Sequence, residues 1–283
     1  MIKIFTDSTA DLSKELLERY NITVVPLHIC LFDKEYRDGL EITPEEIYKW
    51  ADENNTTPKT SAISPEDCEK LFKPVIDAGD EIIVFSISSQ MSTTNNVMKL
   101  VAANLNSEDK ISVIDSENLS TGIGLLVIEA AVLASRGESR ADIVRRIEEL
   151  RPMVRASFVV DTLVYLHRGG RCSSVAAMMG SMLKLHPRIV VKDGAMLADK
   201  KYRGKISTVI MDYAKDLEPL MLNSYKDRVF ITHSGASDED VAKVKAYLES
   251  LDYFKEIYIT RAGSVVSSHC GPGTLGVLFI AKG

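Results

Sequence analysis

The chain has 283 residues, 45% of them hydrophobic and 26% charged, with a formal net charge of −6. This is the composition of an ordinary soluble protein long enough for two domains. The acidic balance excludes a dedicated nucleic-acid binder, which needs a basic footprint.

Cys30, Cys68, Cys172 and Cys270 lie far apart with no CxxC pair. Neither a disulfide framework nor a zinc site is indicated, and reduced thiols in a cytoplasmic protein are expected. No basic leader precedes the first apolar run. The longest apolar helical run, Ile123–Ala134, contains Glu129 and falls short of the ~20 residues of a membrane span, so it reads as a buried helix. Charge is unevenly spread. Nine Lys/Arg face only Asp193 and Asp199 between Arg168 and Lys205, whereas eight acids face Lys49 and Lys59 between Glu41 and Glu69. A basic segment on an acidic protein suggests a docking surface or an anionic ligand.

Met1–Phe5 reads as a strand, followed by Thr6-Asp7-Ser8-Thr9-Ala10-Asp11-Leu12. Asp11 or Ser13 caps a helix with Leu16, Leu17 and Tyr20 inward. Thr23–Leu27 and Ile29–Phe32 read as strands, Asp38-Gly39 as a turn, and Thr43-Pro44 with Glu46 as a capped helix start. Pro58–Ser61 reads as an extended loop, and Ser64-Pro65 opens the next helix. The buried strand Glu81–Phe85 leads into Ser86–Thr94, SISSQMSTT, and then a helix over Asn95–Leu105 with Val97, Leu100, Val101 and Leu105 at helical spacing. Ile111–Asp115 is a strand ending at Ser116, and Ser139–Leu150 an amphipathic helix. This alternation indicates a largely parallel α/β sheet, with a boundary at Arg151-Pro152.

Beyond it, Ser157–Val160 reads as a strand and Asp161–Leu166 as a short helix ending at Gly169-Gly170-Arg171. Ala176–Leu185, with Met178, Met179 and Met182, is adaptable apolar lining or plain core. Asp193-Gly194 marks a hairpin. Lys200–Lys205 reads as a basic loop before a helix over Ile206–Leu222. Strands at Val229–Thr232 and Ile257–Thr260 flank the helix Asp238–Leu251. The turn-rich Ser267–Gly273 leads into a closing strand, Val277–Ala281.

Hydroxyls crowd the Ser86–Thr94 turn, where a strand hands over to a helix. In an open α/β sheet, ligands sit at this end of the strands, and the helix dipole favours an anion. Ser88, Ser89, Ser92, Thr93 and Thr94 add donors without charge. Together with Thr6–Thr9, Thr60-Ser61 and Ser116 they form four hydroxyl-rich segments able to converge on one rim. His269 beside serines also fits a nucleophile and base, although no GxSxG elbow is present. P-loop, dinucleotide and metal-ligand patterns are absent. The residues themselves favour a neutral-hydroxyl cradle for a carboxylate or phosphate head with a buried apolar tail.

PKTS at Pro58–Ser61, SSQMST at Ser88–Thr93, IDS at Ile114–Ser116, RGGR at Arg168–Arg171, HCGPGTLGVLF at His269–Phe279 and the opening FTDSTADL resemble the DegV family, in order and over essentially the whole chain. The resemblance implies two α/β domains, 1–152 with a largely parallel sheet flanked by helices and 153–283 with a mixed sheet. It implies a long-chain fatty acid as bound ligand and no cofactor. It further implies a non-catalytic role, presenting the acid to an ATP-dependent kinase subunit that makes acyl phosphate. Thr60 and Ser92 are expected to hydrogen-bond the carboxylate with help from the Thr93 backbone N–H and from Ser61 and Ser116. Arg171 and His269 are expected in the surrounding polar network, and Lys201 and Arg203 in kinase docking. No nucleic-acid partner and no membrane insertion are expected, only transient membrane contact. The family usually has Ser-Gly-Thr where this chain has Ser92-Thr93-Thr94, which restricts φ and adds bulk beside the head group. The alternatives are an acyl-ester hydrolase with His269 as base, and a lipid sensor without a kinase.

Overall fold

The computed structural model describes residues 1–176 and 185–282. In chain order the first part runs β1 (Ile2–Asp7), α1 (Lys14–Tyr20), β2 (Ile22–Val25), β3 (His28–Leu31), β4 (Lys34–Arg37), α2 (Pro44–Asn54), β5 (Lys59–Ser61), α3 (Pro65–Asp77), β6 (Glu81–Ser86), α4 (Thr94–Asn104), β7 (Ile111–Asp115), α5 (Thr121–Ser135) and α6 (Arg140–Leu150). The second runs β8 (Val154–Val159), α7 (Val164–Gly169), α8 (Ser173–Ala176), β9 (Leu185–Lys192), β10 (Ala195–Arg203), α9 (Ile206–Asp216), α10 (Glu218–Met221), β11 (Arg228–Ser234), α11 (Asp238–Ser250), β12 (Glu256–Arg261), α12 (Ser264–Cys270) and β13 (Thr274–Ile280). Met178, Met179 and Met182 lie outside the described residues.

The β-branched runs of the first half pair as a parallel four-stranded sheet in the order β2-β1-β6-β7. The second half forms a six-stranded sheet, β10-β9-β8-β13-β11-β12, antiparallel except where β12 lies parallel to β11. Crossover helices give the parallel set, whereas hairpins such as Asp193-Gly194 give the antiparallel one. Asp193 and Gly194 both have positive φ, 50° and 79°, as a two-residue hairpin turn requires.

Helix α5 explains why the two sheets hold together. Its sequence is apolar on every side, so no face can be left in water. Ile123, Leu125, Leu126, Val127 and Ile128 are fully buried in one cluster that also takes Ile83 and Phe85 from the first sheet and Phe158 and Leu278 from the second. Glu129 remains tolerable because it pairs with Arg228 on β11.

Several local expectations need correction. Lys59–Ser61 is a strand: β5 pairs with β3, which also pairs with β4, in a separate three-stranded sheet. Lys200–Arg203 belongs to β10 and is no loop, and the helix expected over 206–222 breaks at Leu217, ahead of Pro219. Ser264–Cys270 is helical, because tertiary packing decides where small residues leave propensity open. Ser13 caps α1, while Asp11 takes the left-handed conformation (φ 52°) and caps nothing there. Leu100 is 53% exposed, and Met98, Val101 and Ala102 are the buried stripe of α4.

Replacing Ile128 by Ala leaves a void between the sheets. The unfolding free energy should fall by about 2–5 kcal/mol, measured by urea denaturation. Because one core serves both sheets, probes in each should lose structure in a single transition; loss of one sheet alone would contradict a shared core.

Candidate functional site: a hydroxyl-rimmed cavity under α12

A cavity of about 480 Å³ lies where α12, the Ser88–Thr93 loop and β5 meet. Its apolar wall includes Leu27, Ile87, Leu119, Met196, Val265 and Val266, and its polar groups include Thr60, Ser61, Ser92, Thr93, Arg171 and His269. A smaller space of about 30 Å³ adjoins it, sharing Leu119, Val266 and Cys270, and continues to Phe158, Gly276 and Leu278 of the second sheet.

The site is assembled from distant parts of the chain. Pairing of β5 with β3 sets Thr60 opposite Ile29. Helix α12 carries Val265, Val266, His269 and Cys270 to the same place. His269 Nε2 lies 2.9 Å from Thr60 Oγ1, a contact across 209 residues of sequence. Ser92 Oγ lies 2.9 Å from Thr94 Oγ1 and accepts the Thr94 N–H at 3.3 Å, so it sits at the start of α4. Thr93 has φ −82° and ψ 4°, a conformation open to any residue, so the threonine in place of the family's glycine carries no φ penalty. Its bulk still reaches the cavity.

The other hydroxyls have structural employment. Ser116 lies outside the cavity wall and is bonded within its own turn, accepting Asn118 N–H at 3.1 Å. Ser88 donates to the Gly194 carbonyl at 2.7 Å, tying the central loop to the β9–β10 hairpin that bears Met196. Ser8 accepts Leu27 N–H at 3.1 Å, and the Thr9 hydroxyl donates to Asp7. The opening motif therefore stands behind the cavity and contributes none of its lining. Lys201 and Arg203 are exposed on β10, five and seven residues beyond Met196. At about 3.3 Å per residue they stand roughly 17 and 23 Å along the strand from the cavity wall.

Burial and the Arg171 guanidinium together hold the His269 imidazole down at about 4. It is therefore neutral near pH 7, and its Nδ1 has no hydrogen-bond partner among the described residues. Among the described residues no carboxylate bonds the ring to orient it, as a Ser-His base would need. Gly169 packs against this nitrogen so closely that a methyl group there would drive into it. Arg171 is itself exposed, its Nη1 donating to the Gly169 carbonyl at 2.7 Å. Nearby, Asp7, Asp11 and Asp38 are buried and their carboxyls are raised by desolvation, Asp7 to about 6. Cys270 is buried and its thiol is raised by desolvation, which makes it a lining group and a poor nucleophile. Among the described residues no cluster of His, Cys, Asp and Glu is placed to hold a metal ion, and no helix is long and apolar enough to cross a membrane.

Fold and site together define an α/β protein, its four-stranded parallel and six-stranded mixed sheets accompanied by a small third one, with an apolar cavity edged by uncharged hydroxyls. The same architecture is found in a fatty-acid-binding DegV family protein of Thermus thermophilus, with a TM-score of 0.91, 30% identity and 99% of each chain covered. A stearic-acid-binding protein of Eubacterium ventriosum gives a TM-score of 0.87 at 29% identity, covering 100% of this chain and 99% of that one. A DegV domain-containing protein of Caldanaerobacter subterraneus is 32% identical over 283 residues, 99% of both chains. The family model described as "Uncharacterised protein, DegV family" matches residues 1–282. The chain belongs to the DegV family.

The two buried titrations have opposite signs. Asp7 is raised from 3.8 to about 6, so its contribution to stability is present below the lower value and lost as pH rises through the upper one. His269 is lowered from 6.5 to about 4, so its contribution is present above the upper value and lost as pH falls through the lower one. Between about pH 4 and 6 they oppose each other. In urea denaturation over this window, Asp7→Asn should steepen the loss of stability on acidification and His269→Gln should flatten it. Parallel pH profiles for wild type and both variants would show that neither shift is present.

Proposed function

We propose that this protein binds a long-chain fatty acid, with the carboxylate on the hydroxyls of Thr60 and Ser92 and the tail along Leu27, Ile87, Leu119 and Val266. The observation that carries this reading is one cavity of about 480 Å³ that joins paired neutral hydroxyls to an apolar wall. If His269 donates from Nε2 to Thr60 Oγ1, the threonine hydrogen is free to point at an anion, and a neutral ring leaves no ion pair to trap it. Thr93 N–H completes the donor set, Ser61 lines the same rim while its hydroxyl donates to Glu35 Oε1 at 3.1 Å, and Arg171 stands at the edge. Each methylene buried stabilises the complex by ~0.8 kcal/mol, so a long chain binds tightly even without a cationic clamp. Fatty-acid binding by the two solved relatives supports the same ligand here.

The finer reading is a carrier, 1–152 and 153–283 acting as two domains around the lipid, that presents the carboxylate to an ATP-dependent kinase subunit in the cytoplasm. Exposure of Arg171, and of Lys201 and Arg203 on β10, supports this as the docking side. In this role the protein needs no nucleophile of its own.

Protein purified without added lipid should carry fatty acid, detected by native mass spectrometry. Ser92→Ala should weaken binding by ~1–3 kcal/mol through loss of a charge-assisted hydrogen bond, measured by calorimetry. Unchanged affinity would remove Ser92 from the site. Arg203→Glu should reduce capture of an ATP-binding partner and leave lipid affinity intact; loss of lipid as well would overturn the docking assignment. A fluorophosphonate probe should leave the protein unlabelled, and labelling would favour the hydrolase alternative.

A further inference from the structure

The opening motif and the Asp38-Gly39 turn lie outside the cavity wall, yet their carboxylates grip the backbone of two segments that form it. Asp7 Oδ2 accepts the N–H of Ile87 at 2.6 Å. Asp11 Oδ1 accepts that of Gly263 at 2.8 Å. Asp38 Oδ1 accepts the N–H groups of Ser264 at 2.8 Å and Val265 at 3.4 Å. Gly263, Ser264 and Val265 make up the start of α12, whose unpaired N–H groups and positive dipole end favour an anion.

This arrangement is costly. Asp7, Asp11 and Asp38 are 0%, 6% and 2% exposed, and Asp38 raises both of the others. A serine would cap a seven-residue helix without burying charge. What the carboxylates supply in addition is a stiff hold. That hold matters because His269, in the last turn of α12, has no second anchor among the described residues: its ring bonds Thr60 through Nε2, and Nδ1 meets no partner there.

We infer that Asp11 and Asp38 are positioning residues for the head-group end of the cavity: by fixing the first turn of α12 they hold His269 against Thr60. The inference rests on the fatty-acid reading for its effect on affinity, but its geometric part does not.

Two measurements decide it. In lipid-free protein, the imidazole NMR resonances of His269 should move in Asp38→Ala as the Thr60 bond is lost. Asp38→Asn, which keeps a carbonyl acceptor for Ser264, should restore them. With palmitate as ligand, Asp38→Ala should weaken binding about tenfold, but by less than about twofold in a His269→Gln background, since coupled residues are not additive. Val209→Ala, in the separate core on the far side of the second sheet, supplies an equal-destabilisation control and should leave affinity unchanged. Asp11→Ala keeps both Asp38 bonds and gives a second reading should Asp38→Ala fail to fold, with the same dependence on His269. Unmoved resonances, or equal losses of affinity in both backgrounds, would overturn the inference. Failure of the wild type to bind palmitate would instead defeat the fatty-acid reading, with the resonances still deciding the positioning role.

Discussion

The structure turns on one short helix being held in a place its own sequence does not choose. Helix α12 comes from the C-terminal half but packs on α2, β3 and β5 of the first half as well as on α7. It brings four residues to the cavity, and only there does His269 meet Thr60. Seven residues cannot sustain a helix in water. Ordered side chains at its start and apolar burial of Val265 and Val266 supply what propensity does not.

The polar chemistry under this helix follows from dielectric exclusion. A buried imidazole resists a second proton, and buried carboxyls resist losing theirs, so burial pushes both towards neutrality. At the cavity itself the result is a neutral imidazole among hydroxyl and amide dipoles. An anion entering it would meet hydroxyls whose hydrogens can reorient and, among the described lining residues, no ammonium. Arg171 contributes a field from the exposed edge while its side chain bonds the Gly169 carbonyl.

How much of this the sequence disclosed depends on the range of the interaction. The apolar runs at Met1–Phe5, Glu81–Phe85 and Ile111–Asp115, the Thr43–Glu46 helix start and the Asp193-Gly194 turn are local signals, and each forms to within two residues of its reading. The expected rim held Thr60 and Ser92, and the family resemblance added His269; the cavity brings these three together and leaves out Thr6–Thr9 and Ser116. Local reading fails where a distant partner decides. Lys59–Ser61 becomes a strand because β3 offers it an edge, and Ser264–Cys270 becomes a helix because two aspartates and an apolar bed await it. A count of hydroxyls also cannot distinguish Ser92, which lines the cavity, from Ser88 and Ser116, whose hydrogens are spent on carbonyls. Carboxylates that take backbone N–H groups of a distant segment leave no spacing to find, which is why Asp11 and Asp38 read as no more than cap and turn residues.

The place of α12 behind β12 in chain order sets a timetable for biogenesis. A nascent polypeptide emerges from its amino end, and the four-stranded sheet and α5 are complete by residue 135. The wall carrying Val265 to Cys270 is made only after β8 to β12 have followed. Until then the cavity lacks the wall that α12 supplies, and its apolar lining stays open to other chains. Closure waits for the second half of the fold.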